Sequence, residues 1–178
     1  MKMNKKLILA SSLFLVSTQL FANNLLQNGS FESPALASTW QHIPTISNWA
    51  IAPAGVKGEL QREAPNDYPD GKQILELAST TGYSISQSVV VTVGDKYILS
   101  FWAKYRKAEH NLLDVHLSGT AGDCGTQNDF SIKTTGVWTK YSYCICPTSR
   151  EFKVTFEQKG AAGGGYGLHL DNVILGQP

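Results

Sequence analysis

Asn23-Asn24-Leu25-Leu26-Gln27-Asn28-Gly29-Ser30-Phe31-Glu32 and Leu168-His169-Leu170-Asp171-Asn172-Val173-Ile174-Leu175 decide the fold between them. Each is a short apolar run with one carboxylate, Glu32 in the first and Asp171 in the second. Read as a pair, they describe a β-sandwich whose two ends meet, with two like charges placed to share a cation. Between them helical periodicity is nearly absent. Apolar and β-branched runs recur instead, separated by Gly, Pro, Asn and Asp. The clearest run is Lys96 to Tyr105. Tyr97, Leu99, Phe101, Ala103 and Tyr105 fall on one face, and Ile98, Ser100, Trp102 and Lys104 on the other, which is the two-residue period of a strand. Ile46 to Ile51, Gln73 to Ala78, Tyr83 to Val93, Leu112 to Leu117, Val137 to Ile145, Phe152 to Phe156 and Tyr166 to Leu175 are further strand candidates. The sum is about nine or ten strands, an all-β chain forming a single β-sandwich or jelly roll. Pro69-Asp70-Gly71, Val93-Gly94-Asp95 and Ala162-Gly163-Gly164-Gly165 are turns, because Gly accepts positive φ and Asp bonds its own backbone. Residues 33 to 72 hold five of the seven prolines and little strand signal, which predicts long loops over one rim.

Residues 1–22 read as an export signal. Lys2, Lys5 and Lys6 precede a mostly apolar run from Leu7 to Val16, too short to span a bilayer, and Ala22 is small at the expected cleavage point. The mature chain is then residues 23–178, 178 − 22 = 156 residues, one domain in size. It is secreted in this reading, periplasmic or extracellular, with no membrane anchor. Removing three lysines from 15 Lys+Arg leaves 12 against 14 Asp+Glu, a net charge of −2. The basic cluster Lys104-Tyr105-Arg106-Lys107 reads as a solvated strand end, so no nucleic-acid partner is expected.

Export permits disulfides, and all three cysteines, Cys124, Cys144 and Cys146, lie in the mature part. One bridge is expected, Cys124 with Cys144 or Cys146, leaving one thiol over. That thiol is available for pairing between chains. Zinc held by all three is the competing arrangement.

All four Trp and seven Tyr also lie in the mature part. Aromatic side chains stack on the apolar C–H face of a sugar ring while polar neighbours bond its hydroxyls. Trp40 and Tyr68, interleaved with Gln41, His42, Arg62, Glu63, Asn66 and Asp67, form the leading candidate rim. Trp102 points away from the Phe101 face, and Tyr105 ends the same strand. The candidate ligand set is therefore Trp40, Tyr68, Arg62, Trp102 and Tyr105, while Trp49 and Trp138 are expected in the core. His116 and His169 each stand two residues from an aspartate, Asp114 and Asp171, a spacing that admits a His/Asp metal site but more commonly means a hydrogen-bonded histidine. No nucleophile elbow, HExxH, CxxC or phosphate loop is present, so a hydrolase has no constellation behind it.

Four stretches taken in order resemble the galactose-binding-like jelly rolls. This class includes several carbohydrate-binding module families and a plant cell-wall family built from the same domain. Asn24 to Glu32 looks like their opening strand, Gly94 to Lys104 like their central strand and Leu170 to Leu175 like their closing strand. Pro69 to Leu77 resembles the plant family's loop and strand after its first tryptophan region. The resemblance implies a secreted, non-catalytic module that binds a cell-surface or cell-wall polysaccharide. Standing without a catalytic domain, the chain also fits a protein-interaction or virulence-type factor that docks a host or envelope protein. The resemblance further implies a structural calcium (Ca2+) between opening and closing strands. Glu32 and Asp171 would give carboxylate oxygens, and main-chain carbonyls near Ser30 and in the loop around Lys72 would complete the shell, since calcium takes six to eight hard oxygens in irregular geometry. The plainer alternative is that Glu32 caps a turn and Asp171 accepts backbone N–H bonds.

Overall fold

The structure, a computed structural model, describes residues 23–62, 68–77, 83–120, 124–159 and 166–178. The expected signal, the rim residues Glu63, Asn66 and Asp67 and the run Ala162 to Gly165 lie outside the described residues.

Among these residues there are eleven strands: β1 (Trp40–Ile43), β2 (Ala50–Ala52), β3 (Gly58–Gln61), β4 (Ile74–Leu77), β5 (Ser84–Val90), β6 (Tyr97–Tyr105), β7 (Leu112–Leu117), β8 (Asp129–Lys133), β9 (Thr139–Ile145), β10 (Glu151–Lys159) and β11 (Leu168–Gly176). They form two sheets, in the orders β1-β3-β4-β11-β6-β9 and β2-β5-β10-β7-β8. Every pairing is antiparallel, as in a jelly-roll sandwich.

The alternation read from the sequence sets the faces. In β6, Tyr97, Leu99, Phe101 and Ala103 are buried, and in β10, Phe152, Val154 and Phe156 are buried while Glu151, Lys153 and Lys159 are exposed. The two inner faces meet through aromatic contacts. Phe101 packs edge-on against Phe156 at 5.0 Å, and Trp49 bridges Phe156 and Phe31 at 6.3 and 5.5 Å. Each such ring removed from water contributes roughly 1.5–3 kcal/mol, which makes this seam the main support of the sandwich.

Three expectations change. Asn24 to Glu32 is not a strand: Asn28 and Phe31 have φ of 53° and 55°, so the chain turns there. The two ends nevertheless meet as expected. Leu25 N–H donates to Leu175 O (2.8 Å), Val173 N–H donates to Gly29 O (2.9 Å), and the Asn24 amide oxygen accepts Leu175 N–H at 2.9 Å. Gly29 is required at this crossing, because a Cβ would run into the Val173 carbonyl. Second, β1 and β3 lie within residues 33 to 72, which were expected to be loops. Third, β8 was not anticipated.

Candidate functional site

Directly opposed residues on neighbouring strands share a face, so the register of the six-stranded sheet places two rows of side chains on its outer side; Trp40, His42 and Lys140 are exposed there, while Gln61, Ile74, Glu76, His169 and Asp171 are buried. The first row runs His42, Glu59, Glu76, His169 and Lys104 across β1, β3, β4, β11 and β6. The second contains Trp40, Gln61 and Ile74 from β1, β3 and β4, and Asp171, Trp102 and Lys140 from β11, β6 and β9. Trp138, just before β9, joins the first row: its ring lies 6.0 Å from His169 and the Lys104 ammonium sits 4.8 Å above it. At one end Tyr166 carries Arg106 and Lys107 over its face at 4.8 and 4.0 Å. Three of the four tryptophans thus point to this side; the fourth, Trp49, is core.

Of the sequence candidates, the structure brings Trp40 and Trp102 to one face, four strand steps apart, about 19 Å at the usual interstrand spacing. Trp40 is half exposed and stands edge-on to His42 at 5.5 Å. Arg62 is exposed beyond β3 and donates from Nη1 to Leu36 O at 3.2 Å. Tyr68 is half-buried at the edge of a described segment. Tyr105 is turned to the other side of β6, packs against the core and receives no place in the rows, because odd and even residues of a strand face oppositely. Trp138 corrects the expectation of a core residue, since register puts it outward, beside His169.

The centre of the face is Glu76, which sequence reading did not single out. It is buried, yet its carboxylate is fully engaged. Arg106 Nη1 donates at 2.7 Å, Gln61 Nε2 and Gly167 N–H both donate, and His169 Nε2 lies 3.4 Å away. Burial alone would push its carboxyl up, but the His169 imidazole, the Gly167 N–H and the Arg106 guanidinium outweigh it and hold Glu76 below the usual carboxylate range. Burial holds His169 below the usual imidazole range, with Lys104 and Arg106 adding to it against the opposing pull of Glu76. Gln61 also donates to Glu59 (2.9 Å), so Gln61 fixes both glutamates. Above this buried base, exposed Trp40 and His42 and half-buried Glu59, Trp102, Lys104, Trp138 and Tyr166 mix polar groups with indole and phenol rings, which is chemically suited to a sugar, whose ring has both hydroxyls and an apolar face.

The Glu32 and Asp171 pair lies at one side of this face. Glu32 Oε1 accepts the N–H groups of Lys72 (2.6 Å) and Gln73 (2.7 Å). Asp171 Oδ2 accepts Asp70 N–H at 2.9 Å and its Oδ1 accepts Asn172 N–H at 2.7 Å. The backbone-acceptor alternative therefore describes these bonds. Asp171 is wholly buried, however, and burial, with the Asp70 and Glu32 carboxylates adding to it, pushes its carboxyl up to about 8 despite the two N–H bonds. A dication at Asp171 would offset this burial and repulsion, with Glu32 as the second carboxylate. Ser30 and Lys72 would add main-chain carbonyl oxygens, neutral hard ligands of the kind calcium accepts.

His169 and Asp171 do not act together: His169 turns to Glu76. His116 bonds Asp129 (2.7 Å) and lies 3.4 Å from Glu157, while Asp114 takes Ser131 and Lys159 instead, so cross-strand neighbours replace the expected Asp114 partner. The disulfide is Cys124–Cys146, with Cys144 as the free thiol. A separate groove of about 590 Å³ lies between β5, β6 and the chain ends, lined by Leu25, Val90, Val93, Tyr97 and Arg150. Val90 and Val93 are exposed there, and the groove lacks the ring-flanked polar rows of the six-stranded face.

The same architecture recurs in solved structures that share little sequence. A family 61 carbohydrate-binding module, solved in complex with β-1,4-galactotriose, is 18% identical, covers 88% of this chain and 100% of that chain, and superposes with a TM-score of 0.62. A family 16 carbohydrate-binding module is 18% identical over 85% of this chain and 99% of its own, with a TM-score of 0.54. The active domain of tailspike protein 4 of bacteriophage CBA120 is 21% identical over 86% of this chain and only 21% of its own, with a TM-score of 0.57. These likenesses establish the jelly-roll fold. No curated protein is similar at a significant level. The family model described as "Protein of unknown function (DUF642)" matches residues 24–176.

Proposed function

Because the chain belongs to the DUF642 family and folds as the carbohydrate-binding modules do, we propose that it is a secreted, non-catalytic module that binds a cell-surface or cell-wall polysaccharide on the outer face of its six-stranded sheet. The observation that carries this reading is the row of Trp40, Trp102 and Trp138 flanking Glu59 and Lys104, over a buried base of Gln61, Glu76 and His169. Glu76, bonded by Arg106, Gln61 and Gly167, ties β3, β4 and the segment before β11 together beneath this face and keeps it rigid. A calcium ion at Glu32 and Asp171, completed by main-chain carbonyls near Ser30 and Lys72, belongs to the proposal as a structural ion. It would neutralise the buried Asp171 and tie together the two chain ends.

Thermal melting of the mature protein against a panel of polysaccharides tests the reading, since a ligand that binds only the native state raises Tm. One glycan class is expected to shift Tm, and Trp40→Ala combined with Trp138→Ala to remove the shift while the unliganded Tm stays close to the parent. A full panel without a shift, or a shift untouched by the double variant, would sink it. The second reading, docking to a host or envelope protein, is favoured by the groove with exposed Val90 and Val93. It takes over if glycans fail and a captured protein is released by Val93→Lys.

A further inference from the structure

The Cys144 sulfur lies 2.8 Å from the Cys124 sulfur, although Cys124 is already joined to Cys146. All three sulfurs are within 4.8 Å of one another, the closest such group of metal- or proton-binding side chains among the described residues. Cys144 is in β9, Cys146 follows that strand directly, and Cys124 stands on the connection from β7 to β8 that crosses to meet them.

We propose that these cysteines form a thiol–disulfide interchange site, in which Cys144 attacks Cys124 and one disulfide migrates between two isomers. Cys144 loses its proton to solvent and its thiolate forms a bond to Cys124 Sγ. The Cys124–Cys146 bond breaks, and its electron pair leaves on Cys146 Sγ, which takes up a proton. One disulfide and one thiol stand on each side, so no oxidant or reductant is needed. Chain entropy hardly separates the isomers. The two bridges span 22 and 20 residues, and loop-closure entropy grows only slowly with length. The surrounding backbone serves both. Thr120 pairs with Pro147, and the Thr120 hydroxyl accepts Cys146 N–H at 3.2 Å, so the connection stays beside β9 whichever sulfur is bonded. Cys144 is half-buried and Cys146 buried, so interchange moves the free thiol between a reachable and a sheltered position. Cys144 also lies on the same outer face as Lys140 and Ser142, its neighbours at two-residue spacing along β9.

The test is disulfide mapping of the oxidised mature protein, incubated at mildly alkaline pH, quenched with acid and digested without reduction. Tandem mass spectrometry is expected to find both Cys124–Cys146 and Cys124–Cys144, and prolonged alkylation with iodoacetamide to label both Cys144 and Cys146. Cys146→Ser is expected to carry a complete Cys124–Cys144 bridge and no free thiol, and Cys144→Ser handled identically to show Cys124–Cys146 alone. Finding only Cys124–Cys146 in the parent, with label confined to Cys144, would overturn the proposal. So would two persistent free thiols in a folded Cys146→Ser. If that variant fails to fold, the parent map decides alone.

Discussion

Glu76 and Asp171 lie on the same face of the same sheet, one on β4 and the other on its neighbour β11, and both are buried. Around Glu76 the protein supplies its own positive charge, through Arg106, and adds donors from Gln61 and Gly167. Around Asp171 it supplies two N–H groups and two further carboxylates, so burial raises both acids and their partners decide the outcome: Glu76 ends below its ordinary range and Asp171 above it. Two buried carboxylates on adjacent strands thus differ in what surrounds them: one has a guanidinium and N–H donors, the other further carboxylates. In the proposed reading the first braces the contact face and the second takes the structural ion.

Arg106→Leu probes the Glu76 site and carries the largest expected effect. It leaves Glu76 buried without its guanidinium partner, and removing one member of a buried pair costs about 3 kcal/mol or more, read as a lower Tm or urea midpoint. A loss under about 1 kcal/mol, the range of an exposed pair, would mean Glu76 does not depend on Arg106, and the contrast would collapse.

Asp171→Asn probes the other site, with a smaller effect of opposite sense. Between its ordinary value of 3.8 and about 8 the folded chain keeps a proton on Asp171 that the unfolded chain releases. Its contribution to stability is therefore full below that window and falls as pH rises through it. Glu76 behaves in reverse, contributing above its ordinary 4.5 and losing that contribution as acid protonates it. In chelator, Asp171→Asn is expected to be more stable than the parent at pH above the window, by on the order of 1 kcal/mol, and to lose the parent's rise in Tm with calcium. A parent that melts identically with calcium and chelator, with the same pH slope as the variant, would remove the metal from the proposal.

Lys104→Met sharpens the comparison most gently. Lys104 helps to hold His169 down, so its removal is expected to raise the His169 pKa, read by NMR titration of the ring. Stability should change by under about 1 kcal/mol, the worth of an exposed cation–π contact. An unmoved His169 would show that burial, Glu76 and Arg106 set it without Lys104.

The parts of the fold that were legible in sequence are those where one side chain reports its own environment. β6 and β10 alternate because one face is core and the other is not, and a single strand suffices to see it. The meeting of Asn24 to Glu32 with Leu168 to Leu175 was legible as a pairing, although the first segment turns where a strand was expected, because Asn28 and Phe31 adopt positive φ. β1 and β3 were hidden because both of their faces are unusual. Trp40 and His42 are exposed, and Gln61 is a buried amide that reads as a loop residue until Glu76 is seen beside it. Glu76 was illegible for the same reason. Its partners stand 15, 30 and 91 residues away, at Gln61, Arg106 and Gly167, and only register brings them together. Trp138 was misassigned because a tryptophan before a strand has no fixed side until its pairing is known.

The placing of β11 bears on how the chain reaches this state. The last strand is not an edge but an inner member of its sheet, seated between β4 and β6 and stitched to residues 24 to 29 as well. Until β11 is in place, β4 and β6 face an empty lane and the opening segment has nothing to lie against. Such long-range closure makes assembly slow and late. The six-stranded sheet therefore closes only when β11 arrives to join its β1-β3-β4 half to its β6-β9 half.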